Sequence, residues 1–199
     1  EWHWPYREDD ALGGHDPYSA SKAASELVIA SYRDSFLTEQ GVAVASARAG
    51  NVIGGGDWSA DRLMPDTIRA WQNGDPINLR RPNSIRPWQH VLDPLAGYII
   101  LAERLWNNAH LEGAYNFGPQ SKEAASVRDV IELAREFYGI GTIHHEAEIE
   151  GPHEAGLLEL ETSRSKQILG FQHRIPLKRA IHLTMDWYLH GSQYLMKFQ

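Results

Sequence analysis

Tyr18 and Lys22 stand four residues apart in the run Asp16-Pro17-Tyr18-Ser19-Ala20-Ser21-Lys22. On a helix that spacing sets a phenol and an ammonium on one face. A positive charge beside a phenol favours the phenolate, bringing a group that ionises near pH ~10 toward the range where it can take a proton from a hydroxyl. The small residues at 19 to 21 leave room for a ligand to come close. A solvated helix face is the plain alternative. The chemical reading gains from context, because an apolar helix continues through Ala23, Ala24, Leu27, Val28 and Ala30, and the strand-like run Val42-Ala43-Val44-Ala45-Ser46-Ala47 follows it.

A second group of candidates comes after that run. Asn51 would follow the end of the strand, where open α/β sheets place their ligands, although an asparagine can equally satisfy a tight turn before glycines. Arg86 carries a planar guanidinium that can give two parallel hydrogen bonds to a phosphate. The adjacent Arg80 and Arg81 are ambiguous, since paired arginines at a strand end are usually solvated. His144, His145 and His153, and the ladder His182, Asp186, His190, have metal-like spacing without a supporting carboxylate motif, so no metal is expected.

The elements that would position these groups alternate between helix and strand. Residues 1–15 read as loop. A helix is predicted from about Pro17 to Glu39, stopped by Gly41, and a buried parallel strand over 42–48. Further helices are predicted from Met64 to Gln72, from an Asp93 N-cap to Trp106, from a Ser126/Asp129 capping box to Tyr138, over Ser163–Leu169, and from Pro176 to His190. Short strands are predicted at Ile77–Leu79, Trp88–Val91, Ala114–Phe117, Ile143–Glu146 and Leu158–Leu160. Trp88, Phe117, Trp187 and Tyr188 read as core.

Tyr-x-x-x-Lys, then an apolar strand, then Arg48-Ala49-Gly50-Asn51-Val52-Ile53-Gly54 resembles the extended short-chain dehydrogenase/reductase family of nucleotide-sugar enzymes. Gly54-Gly55-Gly56-Asp57-Trp58, Arg86-Pro87-Trp88-Gln89-His90-Val91-Leu92-Asp93-Pro94 and His153-Glu154-Ala155-Gly156 narrow the resemblance to the branch that acts on CDP-glucose. The resemblance implies an α/β fold: the C-terminal part of an NAD(P)-binding Rossmann-like enzyme with its smaller substrate-binding α/β domain. Residues 1–60 would be a remnant of the nucleotide-binding domain and 61–199 mainly the sugar-nucleotide domain.

It also implies NAD as cofactor, Tyr18 as the base at the sugar 4-hydroxyl, and Lys22 on the nicotinamide ribose. Arg48 and Ala49 would line the nicotinamide end. Asn51, Arg62, Leu63, Arg86, His153 and Glu154 would hold the substrate, while His90 and Asp93 would be structural. The reaction implied is a 4,6-dehydration with internally recycled NAD, in a homodimer or higher homo-oligomer. A dTDP- or UDP-sugar dehydratase or epimerase of the same family is the runner-up, and a non-catalytic nucleotide-sugar-binding protein the alternative from another class.

No glycine-rich dinucleotide turn follows a first strand, and the three glycines at 54–56 have the wrong spacing for one. The expectation is a C-terminal portion of a longer enzyme, with the family's catalytic threonine and elimination acid/base groups upstream of Glu1. Composition agrees with a folded domain: 42% hydrophobic and 23% charged residues. A formal charge of -7 argues against a nucleic-acid surface, and the lack of cysteine excludes disulfides and thiolate metal sites. With no apolar run near the ~20 residues that span a bilayer, a cytoplasmic enzyme is expected.

Overall fold

The computed structural model describes residues 4–144 and 156–195. Helix α1 (Pro17–Tyr32) starts where local chemistry dictates. Asp16 is extended, its carboxylate accepts the backbone N–H of Ser19 at 3.0 Å and the Ser19 hydroxyl at 2.5 Å, and Pro17 enters the first turn with its φ already set. The helix passes into a π-turn at Arg33–Leu37, within the span expected to be helical. None of its residues is buried, and Leu27, Val28, Tyr32 and Phe36 are exposed.

Strands β1 (Ala45–Ala49), β2 (Val52–Ile53), β3 (Ile77–Asn78) and β4 (Ile85–Arg86) are followed by β5 (Gln89–His90), β6 (Gly113–Phe117), β7 (Ala125–Ser126) and β8 (Ile143–His144). They form four two-stranded pairs: β1 with β6, β2 with β5 and β3 with β8 are parallel, and β4 with β7 is antiparallel. β1 begins three residues later than expected and is half-buried rather than enclosed, because β6 is its one strand neighbour among the described residues. Leu158–Leu160 forms no strand. Pairing there is limited to single bridges, Leu157 to Ile85 and Leu160 to Tyr6.

The remaining helices are α2 (Leu63–Asn73), α3 (Leu92–Asn107), α4 (Val127–Tyr138) and α5 (Leu177–Leu195). The capping box at the start of α4 forms as expected, with Ser126 and Asp129 satisfying each other's backbone N–H groups. Asp93 is not the cap of α3. It lies inside the first turn, because its buried carboxylate is taken by the backbone N–H groups of Arg174 at 3.1 Å and Ile175 at 3.0 Å. Residues Ser165–Leu169 form a π-turn instead of an α-helix.

Two apolar cores result. One gathers Met64, Ile68 and Trp71 of α2, Val130, Ile131 and Ala134 of α4, and Ala180, Ile181 and Met185 of α5, together with Ile53 and Trp88. The other joins Leu101 of α3 to Tyr115 and Phe117 of β6 and to Leu169 and Phe171. At Gly97 a Cβ would lie 2.4 Å from the Phe117 ring, so α3 can approach β6 this closely only without a side chain there. The cores interleave along the chain: residues well beyond 60 return in α3, β6 and 169–171 to pack beside β1.

Candidate active site

A cleft of about 730 Å³ opens at the end of β1 and β2. Its floor is Ala49, Gly50, Asn51 and Val52, one wall is the loop Asp57–Arg62 with the first turn of α2, and the other wall runs from Ile77 to Arg81. Arg86, Trp88 and Tyr98 close it. The structure thus brings together Ala49, Asn51, Arg62, Leu63 and Arg86, five of the residues singled out in the sequence. Tyr18 and Lys22 do not line this cleft. They lie on α1, with the Lys22 ammonium 5.7 Å from the centre of the Tyr18 ring and the phenol side 65% exposed. His153 and Glu154 fall outside the described residues, as does the pairing of His145 with His153.

Arg48 is held within the protein: Nε and Nη2 grip the Glu26 carboxylate at 2.8 and 3.0 Å and Nη1 donates to the Glu8 carbonyl at 3.2 Å. Two opposite charges half-removed from water, in fork geometry, hold each other in preference to solvent. The Arg48 guanidinium and the Ser46 hydroxyl hold the Glu26 carboxyl below its ordinary range against the opposing effect of burial. What this segment offers the cleft is Ala49.

Arg86 is buried and donates to the Ile85 carbonyl at 2.8 Å, which fixes the guanidinium close to its own strand. Arg62 ends the loop at the start of α2 and is exposed. The loop itself is held from two sides. Arg69 donates to the carbonyls of Trp58 at 3.0 Å and Ser59 at 3.1 Å and pairs with Asp66, while the Tyr188 hydroxyl donates to the Asp57 carbonyl. Asp61 adopts a left-handed conformation, φ 60°, that non-glycine residues seldom take.

Sequence reasoning missed Asp57, Asp61, Asn78 and Tyr98 as cleft residues. Asp57 lay in the Gly54–Trp58 block without being singled out; Asp61, Asn78 and Tyr98 lie in no spacing pattern with chemical meaning, and the topology brings them together. Burial raises the Tyr98 phenol, which leaves it a hydrogen-bond donor at neutral pH. His90 is buried, accepts the Leu92 N–H at 3.3 Å, and is pushed down by desolvation against the opposing charge of Asp93. His182 packs on Phe137 and His190 lies 3.1 Å from Asp186. The described residues contain no His/Asp/Glu cluster arranged to hold a metal.

The Gly54–Gly56 run is not a phosphate cradle. A Cβ on Gly55 would sit 2.1 Å from the Trp187 ring and one on Gly56 also faces that indole, so the space beside these glycines is filled. These glycines therefore leave no open backbone turn for a pyrophosphate. Among the described residues, no helix is long and apolar enough to cross a membrane.

Comparison with known proteins agrees with this architecture. The chain is 42% identical over 94% of its length to CDP-glucose 4,6-dehydratase of Salmonella typhimurium, of which it covers 54%. It is 25% identical, over 94% of the chain and 54% of the relative, to dTDP-glucose 4,6-dehydratase of Streptomyces griseus. The chain thus spans about half the length of the curated relatives it matches. Among solved structures, UDP-glucuronic acid 4-epimerase from Bacillus cereus, in complex with UDP-glucuronic acid and NAD, superposes with a TM-score of 0.81 at 17% identity, over 96% of this chain and 58% of that one. That likeness establishes the fold. Residues 3–118 match the model of the NAD dependent epimerase/dehydratase family, and the chain belongs to that family.

Proposed function

We propose that this chain supplies the sugar-nucleotide cleft and the tyrosine–lysine pair of a CDP-glucose 4,6-dehydratase, a hydro-lyase that yields CDP-4-dehydro-6-deoxyglucose. One observation carries the reading: Asn51, Arg62, Leu63 and Arg86 converge with Ala49 on a single cleft at the strand ends. The choice of CDP over dTDP or UDP rests on identity, 42% to the CDP-glucose enzyme against 25% to a dTDP-glucose one.

In this reading Arg86 and Arg62 meet the diphosphate with charge-assisted hydrogen bonds and Asn51 meets the diphosphate or the hexose. Tyr18 takes the proton from the sugar 4-hydroxyl. Lys22 holds the nicotinamide ribose and favours the phenolate. NAD, when bound, supplies a ring that takes up the C4 hydride and later returns it, so none is consumed. Loss of that hydride makes the hexose a 4-ketone, which acidifies its C5 hydrogen and lets the 6-hydroxyl leave as water. The enzyme would act in the cytoplasm as a homodimer or larger assembly, with the exposed Leu27, Val28, Tyr32 and Phe36 of the α1 segment as contact surface. Its product would serve deoxysugar synthesis for surface polysaccharide such as lipopolysaccharide O-antigen.

Calorimetric titration of the chain with CDP, UDP and dTDP tests this. CDP is expected to bind at least about tenfold more tightly than the other two, and Arg86→Ala to weaken it about tenfold or more through loss of a charged contact. Equal binding of all three, or CDP binding indifferent to Arg86, would overturn it.

A further inference from the structure

Helix α1 fully buries none of its 16 residues; only a narrow stripe of small side chains, Ser19, Ala23 and Ala30, with Glu26, is partly covered, so apolar packing within the described chain holds its rotation and axial position only weakly. The hydrogen bonds between α1 and β1 all end on one side chain. Glu26 accepts from Arg48 Nε at 2.8 Å, from Arg48 Nη2 at 3.0 Å and from the Ser46 hydroxyl at 2.7 Å. The third arm of Arg48 reaches the Glu8 carbonyl, and the Glu8 carboxylate accepts the N–H of Asn116 at 2.8 Å on β6. Asn116 in turn donates its amide to the carbonyls of Tyr6 at 3.0 Å and Glu161 at 3.1 Å. A continuous run of donors and acceptors thus leads from an exposed helix into the buried part of the sheet.

Glu26 stands four residues after Lys22 and eight after Tyr18. At 3.6 residues per turn these positions fall about 40° and 80° away around the helix, so all three share one side. Holding Glu26 therefore fixes the direction in which the other two project. We propose that Glu26 and Arg48 are a positioning pair, touching no ligand themselves, that sets the rotation and axial placement of α1 and with them the stance of the Tyr18 oxygen and the Lys22 ammonium. The fork matters to this role. Two parallel bonds between a planar guanidinium and a carboxylate define an orientation, which a single point contact does not.

The functional importance of the pair rests on the reading of Tyr18 and Lys22 given above, but the anchoring can be measured without turnover. Amide hydrogen exchange over α1, and the Cζ resonance of ¹³C-labelled Tyr18 assigned with Tyr18→Phe, would be recorded for the native chain, Glu26→Gln, Arg48→Met and the double variant. Each single change is expected to lower α1 protection roughly tenfold or more and to shift the Tyr18 resonance, leaving the Tyr115 resonance and the protection of β6 and α3 in place. The double variant should lose no more than the worse single one, because both remove the same interaction. Ser46→Ala, which deletes one of the three bonds, should give a smaller loss. The pair is refuted by an unmoved Tyr18 resonance, by losses that add, or by equal loss of protection throughout the chain. If Tyr18 instead follows Glu26 while Tyr18→Phe still turns over CDP-glucose in an active enzyme, the anchor stands and the catalytic reading of Tyr18 falls.

Discussion

Tyr188 near the middle of α5 donates its hydroxyl to the backbone carbonyl of Asp57 at 2.5 Å, across 131 residues of sequence. Its ring meets Trp58 edge-on with centroids 5.1 Å apart, and the neighbouring Trp187 lies against Gly55. Burial first, and the Asp57 charge second, push the Tyr188 phenol up to about 12, so it remains a donor at any pH the protein meets. The acidic wall of the cleft is therefore pinned by the C-terminal helix.

Tyr188→Phe should detach that wall without disturbing the core. A neutral hydrogen bond contributes about 1 kcal/mol, so the expected loss of global stability is of that order. Exchange of the amides at 55–59 should rise more than that of α4. Urea denaturation with peptide-resolved exchange checks both, and unchanged exchange in the loop would mean that Arg69 alone holds it.

Asp93→Asn should be far more damaging than an exposed aspartate change. The carboxylate is 4% exposed, caps two backbone N–H groups and lies 3.2 Å from His173 Nε2. An amide of the same size turns donors toward donors, and bonds to a charged acceptor are worth about 1.5 to 3 kcal/mol. The expected cost is about 3 kcal/mol, seen as a lower denaturation midpoint at an unchanged slope.

Acid should release α1 before the body of the protein unfolds. The Glu26 carboxyl is held below its unfolded value, chiefly by the Arg48 guanidinium, so its stabilising contribution is present above the ordinary glutamate range and is lost as pH falls through the folded value. Arg48 stays charged throughout, and Ser46 does not titrate. Exchange of α1 amides compared between pH ~6 and pH ~3 should show a drop in α1 that Glu26→Gln reduces but does not abolish, because the Asp16 cap, whose carboxyl Ser19 also holds below its ordinary range, is protonated in the same acid range. Equal acid sensitivity in the Gln variant would assign the effect to the Asp16 cap and not to Glu26.

The 199-residue chain on its own should bind NAD no better than about millimolar, because pyrophosphate binding in this fold uses the N–H groups of a glycine-rich turn and a helix N-terminus. The space beside the glycines at 54–56 is filled by Val91 and Trp187, so they do not substitute. Calorimetry with NAD measures this directly; micromolar binding would require a cradle elsewhere in the chain.

What could be read from sequence was local or carried by motif wording. The helix starts at Pro17 and at Ser126 with Asp129 were legible because the signals of a start lie within one turn, and both form as expected. Asp93 looked like a third such start. Its carboxylate instead serves residues 174 and 175, a partnership 81 and 82 positions away that no local pattern shows. The same distance problem explains Arg48. A residue in a ligand-like motif turned out to be held by Glu26, 22 positions earlier, and the spacing between them falls outside any single element. Tyr98 and Asn78 enter the cleft from the helix α3 and the short strand β3, and they carried no signature until the chain was folded around them.

The bond between Tyr188 and Asp57 also orders events in time. During synthesis at about 5 to 20 residues per second, the loop emerges roughly 7 to 26 seconds before the tyrosine that holds it. For that interval Gly55 and Gly56 have no indole against them and Trp58 has no ring to pack on. A nascent chain can therefore complete β1 and α2 while one rim of its cleft is still unformed.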